Sequence, residues 1–257
     1  MNGDFHELLR SEGRLPEFQR LVGPAASEEV HGTTVLAMRY KDGVLNLGDR
    51  RATTANLVMY DRAEKILPLD DFTLIAVAGA FGKAMEVVRY LQHSFKYFAR
   101  TQLHEISLEG KLQEVSRALA GNLPNALQGI GLFIPVLSAW DEREKAGRIF
   151  FYDGSGARFE SGDFGAAGSG SERIRGAFHY IERVKGPFHE RDFSDVLADG
   201  LRLLDIAAEL DSATAGYAKI LPTAKTVGPE GVREVSEDTL RAAIEGLDQP
   251  AKGRKRA

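Results

Sequence analysis

Six short segments carry hydroxyls, charged groups and glycines, residue types that activated-hydroxyl chemistry uses. In chain order they are His31-Gly32-Thr33-Thr34-Val35, Gly48-Asp49-Arg50-Arg51-Ala52-Thr53, Glu64-Lys65, Ala78-Gly79-Ala80-Phe81-Gly82, Gly168-Ser169-Gly170-Ser171 and Asp211-Ser212-Ala213-Thr214. A hydroxyl is a weak nucleophile until a base takes its proton. Other chemistries are poorly served. The chain has no cysteine, which excludes disulfides, thiolate metal sites and a cysteine nucleophile. Its six histidines are scattered at 6, 31, 93, 104, 179 and 189, so no metal site is expected. No GxxxxGK[ST] phosphate loop or GxSxG elbow occurs, and His104-Glu105 lacks the spacing of a zinc protease. Each of the six segments alone has a bland reading. Thr33-Thr34 can simply open a strand, Asp49 can sit in a turn, and Lys65 can be a solvated charge. Ser169 can belong to a loop and Asp211 to an exposed helix end. The full set in order is what carries weight.

The elements that must position these residues are readable from periodicity. Residues 33–40 are β-branched and apolar, and Lys41-Asp42-Gly43 turns the chain into a second short strand at 44–47. A polar loop follows. Residues 66–69 and 72–78 read as strands, the second so apolar that burial on both faces is expected. Helices are predicted over 84–102 and over 108–123, with Pro124 as the stop of the second. Strands follow at 130–140 and 148–152. The glycine-rich stretch 165–171 reads as a bend between a strand and a helix rather than as a phosphate loop. Helices are expected over 171–184 and 192–210, then a hairpin of 218–227 and 232–235 around Gly228-Pro229-Glu230-Gly231. A last helix spans 236–247 with Ser236 as its N-cap. Strands clustered apart from helices predict stacked sheets covered by helix layers.

Residues 1–32 are interrupted by Gly3, Gly13, Pro16, Gly23 and Pro24 and read as a mobile leader, with short helices possible at 5–9 and 18–22. The tail, 249–257, reads as a basic disordered end. One domain over 33–248 is the simplest division. The net charge of −4 gives no electrostatic footprint for nucleic acid. No apolar run reaches the length of a membrane span, and the N-terminus has no signal-peptide core, so a cytoplasmic protein is expected.

Taken together, the six segments resemble the β-type subunits of proteasomes, in their bacterial, actinobacterial-type form. The resemblance covers nearly all of 33–247. It implies the N-terminal-nucleophile hydrolase fold, an α+β four-layer α/β/β/α sandwich preceded by a propeptide, 1–32. It also implies threonine endopeptidase activity. The bond between Gly32 and Thr33 is cut autocatalytically, which frees the α-amine of Thr33. That amine, with a pKa of roughly 7.7–8.0, can take the proton of the Thr33 hydroxyl and later return it to the leaving group. An amide nitrogen cannot. The chain then degrades unfolded protein through an acyl-enzyme ester, without metal or organic cofactor.

By the same resemblance, Lys65 lies beside the nucleophile and Asp49 pairs with it. Gly79 supplies the oxyanion N–H, and Ser169, Asp211 and Thr214 surround the threonine amine. The family usually has glycine where this chain has Ala215. Ala52, Thr53, Ala63, Val77 and Phe81 match positions of the substrate pocket. Uncharged walls there predict cleavage after large apolar residues. Partners implied are α-type subunits, other β subunits in stacked heptameric rings, an ATP-driven unfoldase and unfolded substrates. Nucleic acid and membrane are not implied. Three alternatives are a bacterial two-ring relative serving a different ATPase, a catalytically silent ring subunit, and a same-fold amidase for small molecules. Arg50-Arg51 and the long domain argue against the first, and the presence of Thr33, Asp49 and Lys65 against the second.

Overall fold

A computed structural model of the chain describes residues 34–54 and 57–248. The expected leader, its possible short helices, Thr33 and the basic tail lie outside the described residues. The strands are β1 (Thr34–Tyr40), β2 (Gly43–Gly48), β3 (Ala52–Thr54), β4 (Leu57–Tyr60), β5 (Ile66–Asp70) and β6 (Thr73–Gly79). Helices α1 (Phe81–Gln102) and α2 (Leu108–Ala126) follow, then β7 (Phe133–Asp141), β8 (Ala146–Tyr152), β9 (Arg158–Ser161) and β10 (Phe164–Gly168). The order ends with α3 (Ser171–Lys185), a 3-10 turn at Phe188–Glu190, α4 (Phe193–Leu210), the hairpin β11 (Thr223–Gly228) and β12 (Gly231–Glu234), and α5 (Glu237–Asp248).

Two five-stranded antiparallel sheets stack face to face. One runs β10-β1-β2-β11-β12 and the other β5-β6-β7-β8-β9. Alternation along each strand sends side chains to opposite faces, and this divides the core into three slabs. Val35, Ala37, Val44, Ile66, Leu74 and Val136 fill the space between the sheets. Leu36, Met38, Leu45 and Leu47 face α3, α4 and α5. Ile75, Val77, Leu137 and Phe150 face α1 and α2. The α/β/β/α sandwich expected from the sequence is present. Strand β6 is buried along nearly its whole length, as its unbroken apolar run predicts. No helix among the described residues is long and apolar enough to cross a membrane.

Several local expectations are corrected. Helix α2 does not stop at Pro124 but runs through it to Ala126. The proline removes one N–H only a turn from the end, and the chain beyond is held by Leu127 N–H to Leu123 O and Ile130 N–H to Asn125 O. Helix α1 starts three residues earlier than its apolar periodicity, at Phe81, directly after the strand that carries Gly79. The loop after Asp49 contains a hairpin, β3–β4, whose Val58, Met59 and Tyr60 are exposed in the single chain. Such a strand pair has no core-facing alternation to read. Apart from Phe159 and Phe164, strands β9 and β10 carry polar or small residues, and 165–168, read as part of a bend, belongs to β10. In β10 the small residues serve close packing: a Cβ on Gly165 would lie 1.9 Å from Phe151 Cζ. Residues 218–222 form a turn and an irregular link rather than the start of β11.

Candidate active site

Thr34, Asp49, Lys65, Ser169-Gly170 and Asp211–Thr214 meet where β1 starts and β2 and β10 end. Strand β1 begins at Thr34, opposite Gly168 in β10, and Val35 pairs with Gly48 of β2. This register sets Thr34 beside Asp49 on one side and Gly170 on the other. Both flanking hydrogen bonds are made: Thr34 N–H donates to Asp49 Oδ1 at 3.0 Å, and Gly170 N–H donates to Thr34 Oγ1 at 3.2 Å.

Asp49 and Lys65 form the buried charge pair of the site, each 1% exposed. Lys65 Nζ lies 2.8 Å from Asp49 Oδ1 and 2.5 Å from the carbonyl oxygen of Arg51. Asp49 Oδ2 accepts N–H bonds from Arg51 at 2.9 Å and Ala215 at 3.3 Å. Four donors on one carboxylate compensate its burial, which alone would be costly. Burial pushes the Lys65 pKa down from the ordinary lysine value by disfavouring the ammonium. Asp49 opposes that shift most, Arg51 adds to it, and Asp211 opposes it weakly.

A chain of hydroxyls runs from Thr34 to Asp211. Thr214 Oγ1 donates to Asp211 Oδ2 at 2.6 Å and lies 2.6 Å from Thr34 Oγ1. A hydroxyl has one proton, so with Thr214 donating to the carboxylate, Thr34 donates to Thr214. Ser169 Oγ donates to the same Asp211 oxygen at 2.5 Å. Gly170 makes the close threonine approach possible. A Cβ there would meet Thr34 Oγ1 at 2.3 Å and Thr214 Oγ1 at 3.2 Å. Gly79, at the end of β6, has φ +106, and a Cβ would lie 2.6 Å from Leu132 O and 2.9 Å from Phe133 Cα. Only glycine fits there.

The structure therefore brings Asp49, Lys65, Ser169, Asp211 and Thr214 into one linked network through Thr34. Ala215, in place of a glycine, is accommodated: its φ is not positive, it is buried, and its N–H contributes to holding Asp49. Of the pocket positions, Ala63 and Val77 are buried and tied by their N–H groups to Arg50 O and Lys65 O, both at 2.9 Å. Thr53 is buried in β3, while Ala52 and Phe81 are half-buried. Three participants were missed in the sequence: Thr34 as the organising residue, the Arg51 carbonyl and the Gly170 N–H. The last two are main-chain groups, which leave no residue-type signal. Thr34 was read only as the second residue of a strand.

Comparison with known proteins identifies the family. A family described as proteasome subunit matches residues 29–202. The chain is 35% identical over 247 residues to a proteasome subunit beta of Acidothermus cellulolyticus, covering 92% of this chain and 82% of that protein. It is 36% identical over 249 residues to proteasome subunit beta 1 of Streptomyces avermitilis, covering 93% and 84%. It is 36% identical over 220 residues to proteasome subunit beta 2 of Thermomonospora curvata, covering 84% and 76%. The α/β/β/α sandwich, the matched family and the β-type relatives lead to one assignment: the chain belongs to the proteasome subunit family, as a β-type subunit of a proteasome core.

Proposed function

We propose that this subunit is an active threonine-type endopeptidase whose nucleophile is Thr33, exposed by removal of residues 1–32. The observation that carries the reading is the double use of Asp49 Oδ1. The oxygen that holds Lys65 Nζ also holds the N–H of Thr34, the residue bonded directly to Thr33. The lysine is thus fixed relative to the chain one residue from the proposed nucleophile.

The chemistry follows in steps. The Thr33 α-amine takes the hydroxyl proton while Oγ1 attacks the scissile carbonyl. Lys65 has three ammonium protons. Two are directed at Asp49 and the Arg51 carbonyl, and the third is available to the developing alkoxide. The Gly79 N–H receives the tetrahedral oxyanion, a contribution typically worth about 10²–10³ in rate. The amine then protonates the leaving nitrogen, and an ester on Thr33 remains. Water attacks this ester with the amine again as base, which releases the acid and restores the hydroxyl. Ser169, Asp211 and Thr214 orient the amine. Ala52, Thr53, Ala63, Val77 and Phe81 line the pocket for an apolar side chain.

The domain is read as 33–248. The subunit works within rings of α- and β-type subunits in the cytoplasm, supplied with unfolded chains by an ATP-driven unfoldase. Lys65→Ala in the assembled particle tests the reading. Turnover of fluorogenic peptides and of an unfolded protein should fall by at least about 10²-fold while assembly persists. Near-normal turnover would remove Lys65 from the mechanism. Cleavage of small amides but not of unfolded protein would replace the peptidase reading with that of an amidase.

A further inference from the structure

Strand β5 carries Lys65 at its entrance and is an edge strand of its sheet. Edge strands leave alternate N–H and C=O groups without a ladder partner and fray more easily than central ones. The carbonyl of Lys65 accepts the Val77 N–H at 2.9 Å and so points inward, to β6. The N–H and C=O of the next residue, Ile66, therefore point outward, away from the sheet. Two side chains meet these outward groups. Glu64 Oε1 accepts the Ile66 N–H at 3.4 Å, and Lys225 Nζ donates to Ile66 O at 2.8 Å. Lys225 Nζ also lies 3.4 Å from Glu64 Oε1, with the lysine side chain 13% and the glutamate side chain 37% exposed.

Lys225 comes from the other sheet. It lies on β11, two residues before Val227, and shares that residue's face, which packs between the sheets. A lysine there is an expensive choice. A charge withdrawn from water costs free energy unless it is paired, and an apolar residue would fill the space without that cost. What the lysine adds is a tie between the two sheets at the residue after Lys65.

We propose that Lys225 and Glu64 clamp the edge strand beside Lys65 and thereby set the position of its ammonium, making Lys225 a positioning residue for the acyl-transfer step. The inference rests on the role given to Lys65 above. It acts through the backbone: Ile66 is pinned by Lys225, Lys65 is pinned by Val77, and Nζ inherits the precision of both. Misplacing a catalytic group by about 1 Å costs up to about 10²-fold in rate, so loosening one of two ties should cost about 10-fold.

The test uses the full chain in its assembled particle and a fluorogenic peptide amide. Lys225→Met keeps the length and the apolar stem of the side chain. It should lower kcat by about 10-fold with KM changed by less than about 2-fold. Lys225→Arg restores a donor for Ile66 O and should recover kcat to within about 3-fold of the wild type. Glu64→Ala removes the acceptor shared by the Ile66 N–H and Lys225 Nζ at a partly exposed position, and should lower kcat by about 3-fold, again at constant KM. A Lys225→Met kcat within 2-fold of wild type would overturn the proposal. So would a rise in KM that accounts for the whole loss, or a failure of Lys225→Arg to recover activity. Should Lys225→Met fail to assemble, an unchanged kcat in Glu64→Ala would overturn it as well. Lys65→Ala run in parallel separates the two levels. An active Lys65→Ala particle sinks the mechanism itself, whereas an inactive one beside a fully active Lys225→Met sinks only the clamp.

Discussion

Asp49→Asn removes one charge and alters almost no volume, yet it should damage both stability and turnover. The carboxylate takes four donors, Thr34 N–H and Lys65 Nζ on Oδ1, Arg51 N–H and Ala215 N–H on Oδ2. An asparagine keeps one acceptor oxygen. Its better orientation leaves that oxygen facing Lys65 and Thr34, and its NH2 then confronts two backbone donors. An orphaned buried donor costs about 1–3 kcal/mol, and the longer 3.3 Å bond lies at the lower end, so the pair together costs about 3 kcal/mol. Lys65 also loses its counterion while remaining 1% exposed. Breaking a buried ion pair from one side costs about 3–5 kcal/mol in total, and the two estimates describe overlapping atoms. We therefore expect about 4 kcal/mol, not their sum. Urea unfolding at fixed subunit concentration should show a midpoint lower by roughly 1.5 M, for a slope of about 2–3 kcal/mol/M. Turnover should fall by at least about 10²-fold. Burial already lowers the Lys65 pKa and Asp49 is its main support, so the variant's lysine gives up its proton more easily still. An Asp49→Asn subunit within about 1 kcal/mol of wild type and retaining more than a tenth of its turnover would refute this reasoning.

Two further perturbations probe different parts of the fold. Gly79→Ala forces a side chain onto φ +106 and against Leu132 O, so it should cost about 1–3 kcal/mol and lower kcat by about 10²-fold as the β6 terminus shifts, measured by thermal unfolding and peptide turnover. Asp199, 1% exposed on α4, is paired with Lys185 and Arg191 at 2.6 Å each and Arg202 at 3.3 Å. Burial pushes its carboxyl up, but Lys185 and Arg191 outweigh it and hold the pKa below the usual carboxylate range. A folded-state pKa below the unfolded value of about 3.9 means that this stabilisation is complete above that value and is lost as pH falls through the folded one. Asp199→Asn should thus destabilise the subunit by about 2 kcal/mol at pH 7, less than a fully buried pair because Lys185 and Arg202 are half-exposed. The difference from wild type should shrink at acid pH in urea unfolding followed from pH 7 to pH 3.

How much of this was legible in the sequence depends on what kind of signal each part leaves. Strand β6 and helix α4 announce themselves because they bury apolar side chains at a regular period within one chain. The β3–β4 hairpin does not, because Val58, Met59 and Tyr60 have nothing to bury against in a single subunit. Strand β10 is hidden by the glycines and alanines that let it lie against Phe151, and Pro124 misleads because its missing N–H falls where the helix has little left to lose. At the site, Asp49, Lys65, Ser169, Asp211 and Thr214 were readable through their order and their resemblance to a family pattern, and the structure draws them together. The Arg51 carbonyl, the Gly170 N–H and the Lys225–Glu64 tie were not readable. They depend on long-range register, Lys225 lying 159 residues from Ile66, and no local pattern encodes a backbone acceptor.

The central claim is that the α-amine of Thr33 is the catalytic base, and the mass of the assembled subunit tests it most directly. Glycine at 32 places no side chain in the path of the Thr33 hydroxyl, so an intramolecular N-to-O acyl shift followed by hydrolysis can release the leader without a second protease. Intact-mass measurement on wild-type particles should give a subunit that begins at Thr33, while Thr33→Ala particles should retain residues 1–32 and be inactive. Wild-type particles that cleave peptides with residues 1–32 still attached to every subunit would contradict the account.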